Sequence, residues 1–170
     1  MSLTFLLGGA RSGKSARAIE LAQEWTGPVT VIATGEPGDA EMAERIRLHR
    51  AARPAGWTTV EEPLELVAAI EHVPPESALI VDCLSLWVAN RLGREDADAA
   101  IEADGEAAAA LAAARQALTV AVSNEVGLGV VPATPLARCY RDVLGRVNAS
   151  WAAAAADAAL VVAGRTLPLR

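Results

Sequence analysis

A chain of 170 residues, 52% of them hydrophobic and with a formal net charge of −6, is long enough for one domain with a real core. The acidic balance, the lack of a lysine-rich tail, and a single tyrosine and phenylalanine argue against a nucleic-acid partner, which needs a basic face and often stacking aromatics. No apolar run is long and charge-free enough to predict stable membrane insertion; the nearest, WAAAAADAALVVAG, is interrupted by Asp157 and consists largely of alanine.

No charged region precedes the short apolar run at the N-terminus, so no signal peptide is expected. Cys83 and Cys139 lack metal or redox spacing. Together these predict a cytoplasmic protein with reduced thiols, and a single domain over 1–170.

In chain order, the first element is a buried strand at 3–7, LTFLL, followed at once by GGARSGKS at 8–15 and a helix over 14–25. Lys14 is the only lysine among fifteen basic residues; the other fourteen are arginine. It sits in Gly8-x4-Gly13-Lys14-Ser15, the phosphate-loop pattern. In such a loop, backbone N–H groups wrap a chain of phosphates, and glycines let the backbone approach. The lysine reaches the outer phosphates as a compact point charge, a task the planar fork of arginine does not match. The Ser15 hydroxyl suits Mg2+, and the following helix turns its positive end to the anion.

PVTVIAT (28–34) reads as a second strand, and the glycine-flanked ATGEPGD (33–39) as a place for nucleoside contacts. A helix starts at about Asp39, its N-cap, and is ended by Pro54, because Arg53 before proline is biased away from helix. Arg45, His49 and Arg53 fall at i, i+4 and i+8, with Arg50 adjacent. Two readings stand. The face is a solvated basic stripe balanced by Glu41 and Glu44, or His49 is a nucleophile toward phosphorus. In the second, the neighbouring arginines keep the imidazole neutral near pH 7 and hold a triphosphate.

WTTVEEP reads as a short strand and exit, in which Glu61 and Glu62 are solvated carboxylates or one of them accepts two hydrogen bonds from a guanine edge. LELVAAIEHV is helical and His72 caps carbonyls at its end. After the turn PPES comes the apolar strand ALIVD. Its terminal Asp82 is either a chance acid or a holder of Mg2+ through water, the usual partner of a phosphate loop. Residues 84–92 read as a helix, and Glu95 to Gln116 as an Ala/Glu-rich surface helix broken at Gly105. ALTVAVSN is a strand, EVGLGVVP a loop, 134–156 a long helix and AALVVAG the last clear strand, with TLPLR as a short edge; SNEVGLGVVP is either a flexible turn or, like ATGEPGD, a place for nucleoside contacts. Apolar strands alternating with helices predict an α/β fold, a mostly parallel sheet covered on both faces.

The blocks GGARSGKS, IAT…D.EM..RI..HR..RP..W.T.E.P, VDCLSLWVAN, SNEVGLGVVP and LARCYRDVLGRVN, in this order, resemble the bifunctional adenosylcobinamide kinase / adenosylcobinamide-phosphate guanylyltransferase family of cobalamin biosynthesis. They cover most of the chain; the stretch from about Gly93 to Gln116 carries little of the resemblance. The second and fourth blocks are specific to the family and the phosphate loop alone is not.

The resemblance implies a RecA-like P-loop nucleotide-binding fold assembled as a homotrimer. It implies that a nucleoside triphosphate, ATP or GTP, phosphorylates adenosylcobinamide. GTP then gives GMP to the resulting phosphate through a covalent enzyme–GMP intermediate. The family's guanylylated histidine falls on His49, and Lys14 serves the phosphates. Its nucleotide-binding positions fall on Gly8, Gly9, Ala10, Arg11, Ser12, Gly13, Lys14 and Ser15, on Thr34, Gly35 and Glu36, on Arg50, Ala51, Ala52 and Arg53, and on Glu61 and Asp82. Ser15 and Asp82 are the expected metal positions; the family often has glutamate where this chain has Asp82. The residues alone also admit a plain small-molecule kinase, or a motor-like nucleotide-binding subunit without a covalent step.

Overall fold

The structure, a computed structural model, describes residues 3–169. Among these residues one sheet of seven strands runs in the order β3-β2-β4-β5-β1-β6-β7, where β1 is Leu3–Gly8, β2 Val29–Ala33, β3 Thr58–Glu61, β4 Ala78–Asp82, β5 Thr119–Asn124, β6 Asp157–Val162 and β7 Arg165–Leu169. All neighbours pair in parallel except β6 and β7, which form an antiparallel hairpin at the edge. The continuous apolar runs of β1, β2, β4 and β5 become the buried centre, as a sheet covered on both faces requires.

The two faces are covered unequally. On one lie α3 (Leu66–Glu71), α4 (Leu84–Gly93), α5 (Asp98–Ala114) and α6 (Pro135–Ala154), packed with Phe5, Ile32, Leu79 and Val81 around the buried Trp87 and Trp151. On the other, α1 (Lys14–Gln23) lays Ala18 and Ala22 against Val31, Ile80, Val120 and Val122. The remaining helix, α2 (Ala40–Ala51), has no buried residue. Asp39 caps it as expected, accepting from the Met42 N–H at 2.7 Å. His72 ends α3 with Nδ1 2.6 Å from the Ala68 carbonyl oxygen.

Two expectations fail in the alanine-rich segment. Gly105 does not break the helix; α5 runs through it unbroken. Nor is α5 a surface helix, because Ile101, Gly105, Ala108, Ala109 and Ala112 are buried in the core. The reason is close approach to α6: a Cβ on Gly105 would lie 3.1 Å from one Val147 methyl and 3.3 Å from the other. Small side chains here allow two helices to meet, which composition alone does not reveal.

Candidate active site

The carboxyl ends of β1, β2, β4 and β5 converge on a cavity of about 650 Å³. Ligands commonly sit there in open α/β sheets, outside the strand ends. The phosphate-loop residues Ala10 to Ser15 form one wall, and α2 forms another with Arg45, His49 and Arg50.

The loop folds as its pattern predicts. Gly13, the N-cap of α1, has φ +104°, a left-handed conformation that favours glycine. The first turn of α1 carries no acidic residue, so its positive end meets the cavity unneutralised. Lys14 is 7% exposed; its Nζ donates to the carbonyls of Gly8 at 2.9 Å and Gly9 at 2.6 Å, and to Ser12 Oγ at 3.4 Å. Burial lowers its pKa, partly opposed by Cys83 and Asp82. Those three acceptors surround a compact ammonium, which explains why the position holds lysine in a chain otherwise given to arginine.

Asp82 sits between the two walls. Ser15 donates to its Oδ1 at 3.4 Å, and His49 Nδ1 lies 3.5 Å from its Oδ2. The proximity of a carboxylate corrects the expectation that arginines hold His49 neutral. The His49 pKa is raised, chiefly by the Asp82 hydrogen bond; burial, Arg53 and Arg45 pull it down with less effect. Sequence spacing put the arginines next to His49, but only the fold brings in a carboxylate from β4.

The other expected positions divide. Arg50 forms an ion pair with Glu61, and both line the cavity. Arg53 lies past the Ala52 C-cap, so it shares no helical face with His49, yet it lines the same cavity and donates to Thr59 Oγ1 at 3.2 Å. Burial lowers its pKa. Gly35 lines the cavity beside Ile46 and Leu86. Thr34 is fully buried; its hydroxyl donates to the Cys83 carbonyl at 2.7 Å and accepts from the Cys83 N–H at 2.9 Å. It ties the end of β2 to the residue after Asp82 and has no hydroxyl proton to offer a nucleotide. Glu36 is paired with Arg94 at 2.9 Å. Ala51 and Ala52 are exposed at the end of α2. Glu62 accepts from the N–H groups of Leu64 and Glu65, a local role before α3.

Sequence reasoning missed Met42 and Leu86, which also line the cavity, as does Asn124 of the SNEVGLGVVP segment. Asn124 follows from its place at the end of β5, paired with Gly8 of the phosphate loop. Met42 and Leu86 carry no chemical signal of their own.

Residues 4–169 match the family model described as cobinamide kinase / cobinamide phosphate guanyltransferase. The chain belongs to this family. Its relatives include the bifunctional adenosylcobalamin biosynthesis protein CobP of Pseudomonas aeruginosa, 44% identical over 97% of this chain and 95% of that protein. The bifunctional adenosylcobalamin biosynthesis proteins CobU of Escherichia coli and Salmonella typhimurium are 39% and 41% identical, each over 95% of this chain and 96% of the relative. Family membership covers both α2 and the phosphate loop, so the two walls of the cavity belong to one enzyme architecture.

Proposed function

We propose that this chain phosphorylates adenosylcobinamide and then transfers GMP from GTP to adenosylcobinamide phosphate, giving adenosylcobinamide-GDP, with His49 as the nucleophile. The family is one of cobinamide kinases and guanyltransferases, which favours two reactions over a plain kinase. The observation that carries the residue assignment is the single cavity in which Lys14, Asp82 and His49 meet. A triphosphate seated on the loop and the N-terminus of α1 has His49 on the facing wall.

In the kinase step the acceptor hydroxyl attacks the γ-phosphorus and yields its proton to solvent, the bond from that phosphorus to the bridging oxygen breaks and the nucleoside diphosphate leaves, with Lys14 on the outer phosphates. In the transfer step the neutral form of His49 reacts: its Nδ1–H donates to Asp82 and the unprotonated Nε2 attacks the α-phosphorus. The bond from that phosphorus to the bridging oxygen breaks and pyrophosphate leaves. Positive charge then develops on the ring. Asp82, which raises the His49 pKa, stabilises that charge. An oxygen of the acceptor phosphate next attacks the same phosphorus, the P–N bond breaks and the imidazole is restored.

Ser15 and Asp82 present two hard oxygen donors to one point, which fits Mg2+ held by few protein ligands together with phosphates and water. Among the described residues there is no cluster of three or more His, Cys, Asp or Glu able to hold a metal alone. The ion would neutralise charge on the phosphates. The whole chain acts as one domain, in a cytoplasmic homotrimer with reduced thiols. An acceptor as large as a corrinoid exceeds what one small cavity encloses, which supports a site shared between subunits.

The test is GTP labelled at the α-phosphate. Label is expected on His49, lost in acid, stable in base, and accompanied by pyrophosphate. His49→Asn should bind GTP, take no label and make no adenosylcobinamide-GDP while still phosphorylating adenosylcobinamide. Label on another residue, or GMP transfer by this variant at the parental rate, overturns the assignment.

A further inference from the structure

We propose that the β6–β7 turn is the seat of the phosphate loop and that Gly164 is a positioning residue for nucleotide binding. The inference rests on the phosphate-loop part of the function proposed above. Neither strand supplies a residue facing the triphosphate in that reading, and every residue of β7 is exposed. The hairpin nonetheless touches the loop at three points.

The first lies along β6, which pairs with β1 so that Gly8 stands opposite Val161. A Cβ on Gly8 would run into the Val161 carbonyl oxygen. At the turn itself, a Cβ on Gly13 would lie 3.2 Å from the Gly164 Cα. Finally, the Gly164 N–H donates to the Ser12 carbonyl at 2.8 Å. Both glycines that define the phosphate-loop pattern therefore stand where β6 and its turn press against the loop.

The hydrogen bond depends on turn geometry. Ala163 and Gly164 are the two residues between the strands, with φ of +50° and +76°. Positive φ at both central positions marks the tight hairpin turn whose twist matches the strands. This conformation carries the Gly164 N–H to Ser12. Because a trans peptide holds its C=O and N–H on opposite sides, fixing the Ser12 carbonyl toward the hairpin turns the Gly13 N–H away from it. That is the orientation of a donor that faces a bound anion, and Gly13 lines the cavity. β7 thus serves to close the turn, although it adds no buried residue.

A Cβ at Gly164 meets nothing within 4 Å, so an alanine there acts through the backbone, and larger side chains are compared by how well they tolerate positive φ. Valine resists positive φ and asparagine tolerates it. Calorimetric titration with GTP should show Gly164→Val weakened about tenfold, the strain of one non-glycine residue in this region having to be overcome when nucleotide re-forms the loop. The KM for triphosphate should rise in both reactions with kcat little changed, and Gly164→Asn should restore affinity. If the valine variant does not fold, Gly164→Ala should still bind several-fold more weakly than Gly164→Asn. A folded valine variant (or, failing that, the alanine variant) that binds GTP like the parent overturns the proposal, as does equal loss with valine and asparagine. Lys14→Ala is the control. Parental GTP affinity in that variant defeats the phosphate-loop reading itself, whereas loss there with none at Gly164 defeats only this inference.

Discussion

The two walls of the cavity are held by different forces. The phosphate loop is fixed from below and behind: β1 is central in the sheet, Lys14 is buried, and the β6–β7 turn bonds to Ser12. Helix α2 has no buried residue and Leu48 on it is 53% exposed. What ties it to the rest is mainly polar: Arg50 with Glu61 and His49 with Asp82, helped by Ile46 beside Gly35. Exposed ion pairs stabilise little, and elements with few buried contacts open locally at low free-energy cost. The fold therefore pairs a fixed anion cradle with a weakly held helix that carries the proposed nucleophile. A seat for phosphate benefits from preorganisation, while a nucleophile that serves only one of two reactions need not be fixed during the other.

Substitution at Lys14 should break this comparison most severely. Lys14→Ala should abolish both reactions, because both need a seated triphosphate. Lys14→Arg should also lose much of both rates, since a planar fork replaces an ammonium among three close acceptors. Steady-state assays of each reaction check this, and full activity in the arginine variant would break the account of the lone lysine.

A core substitution sharpens the contrast through stability. Gly105→Val places methyls against Val147 and Trp87 and should cost about 1–3 kcal/mol in denaturant unfolding, the usual range for overpacking. A neutral result would mean that α5 and α6 are not rigidly packed.

The smallest global effect is expected at Asp39→Ala. The lost cap is worth about 1 kcal/mol locally, but it falls on α2 rather than on the core. The unfolding midpoint should hardly move, whereas amide exchange in α2 should quicken. A fall in stability comparable with that of Gly105→Val would show that α2 unfolds with the core, and would remove the distinction drawn here.

The sequence by itself determined a good deal. Continuous apolar runs at β1, β2, β4 and β5 demanded a sheet covered on both faces, and the alternation with helices made it parallel. The phosphate loop was legible because its chemistry is local: glycines, one lysine and a helix start, all within eight residues. Asp39 and His72 were legible for the same reason, since a cap acts within one helical turn. Tertiary structure decided whatever depended on residues distant in sequence. Spacing put arginines beside His49 and implied a neutral ring, but the fold set Asp82 of β4 against it and reversed the shift. That the segment after β4 occupies the Thr34 hydroxyl is likewise set only by the fold. Gly105 looked like a helix break because its reason, Val147, lies on another helix. The seat beneath the phosphate loop comes from a turn near the opposite end of the chain, with Gly164 bonded to Ser12. Periodicity and short motifs encode interactions that close within a few residues; those that set a charge state or fill a gap act through space, and the order of strands in the sheet decides which residues meet.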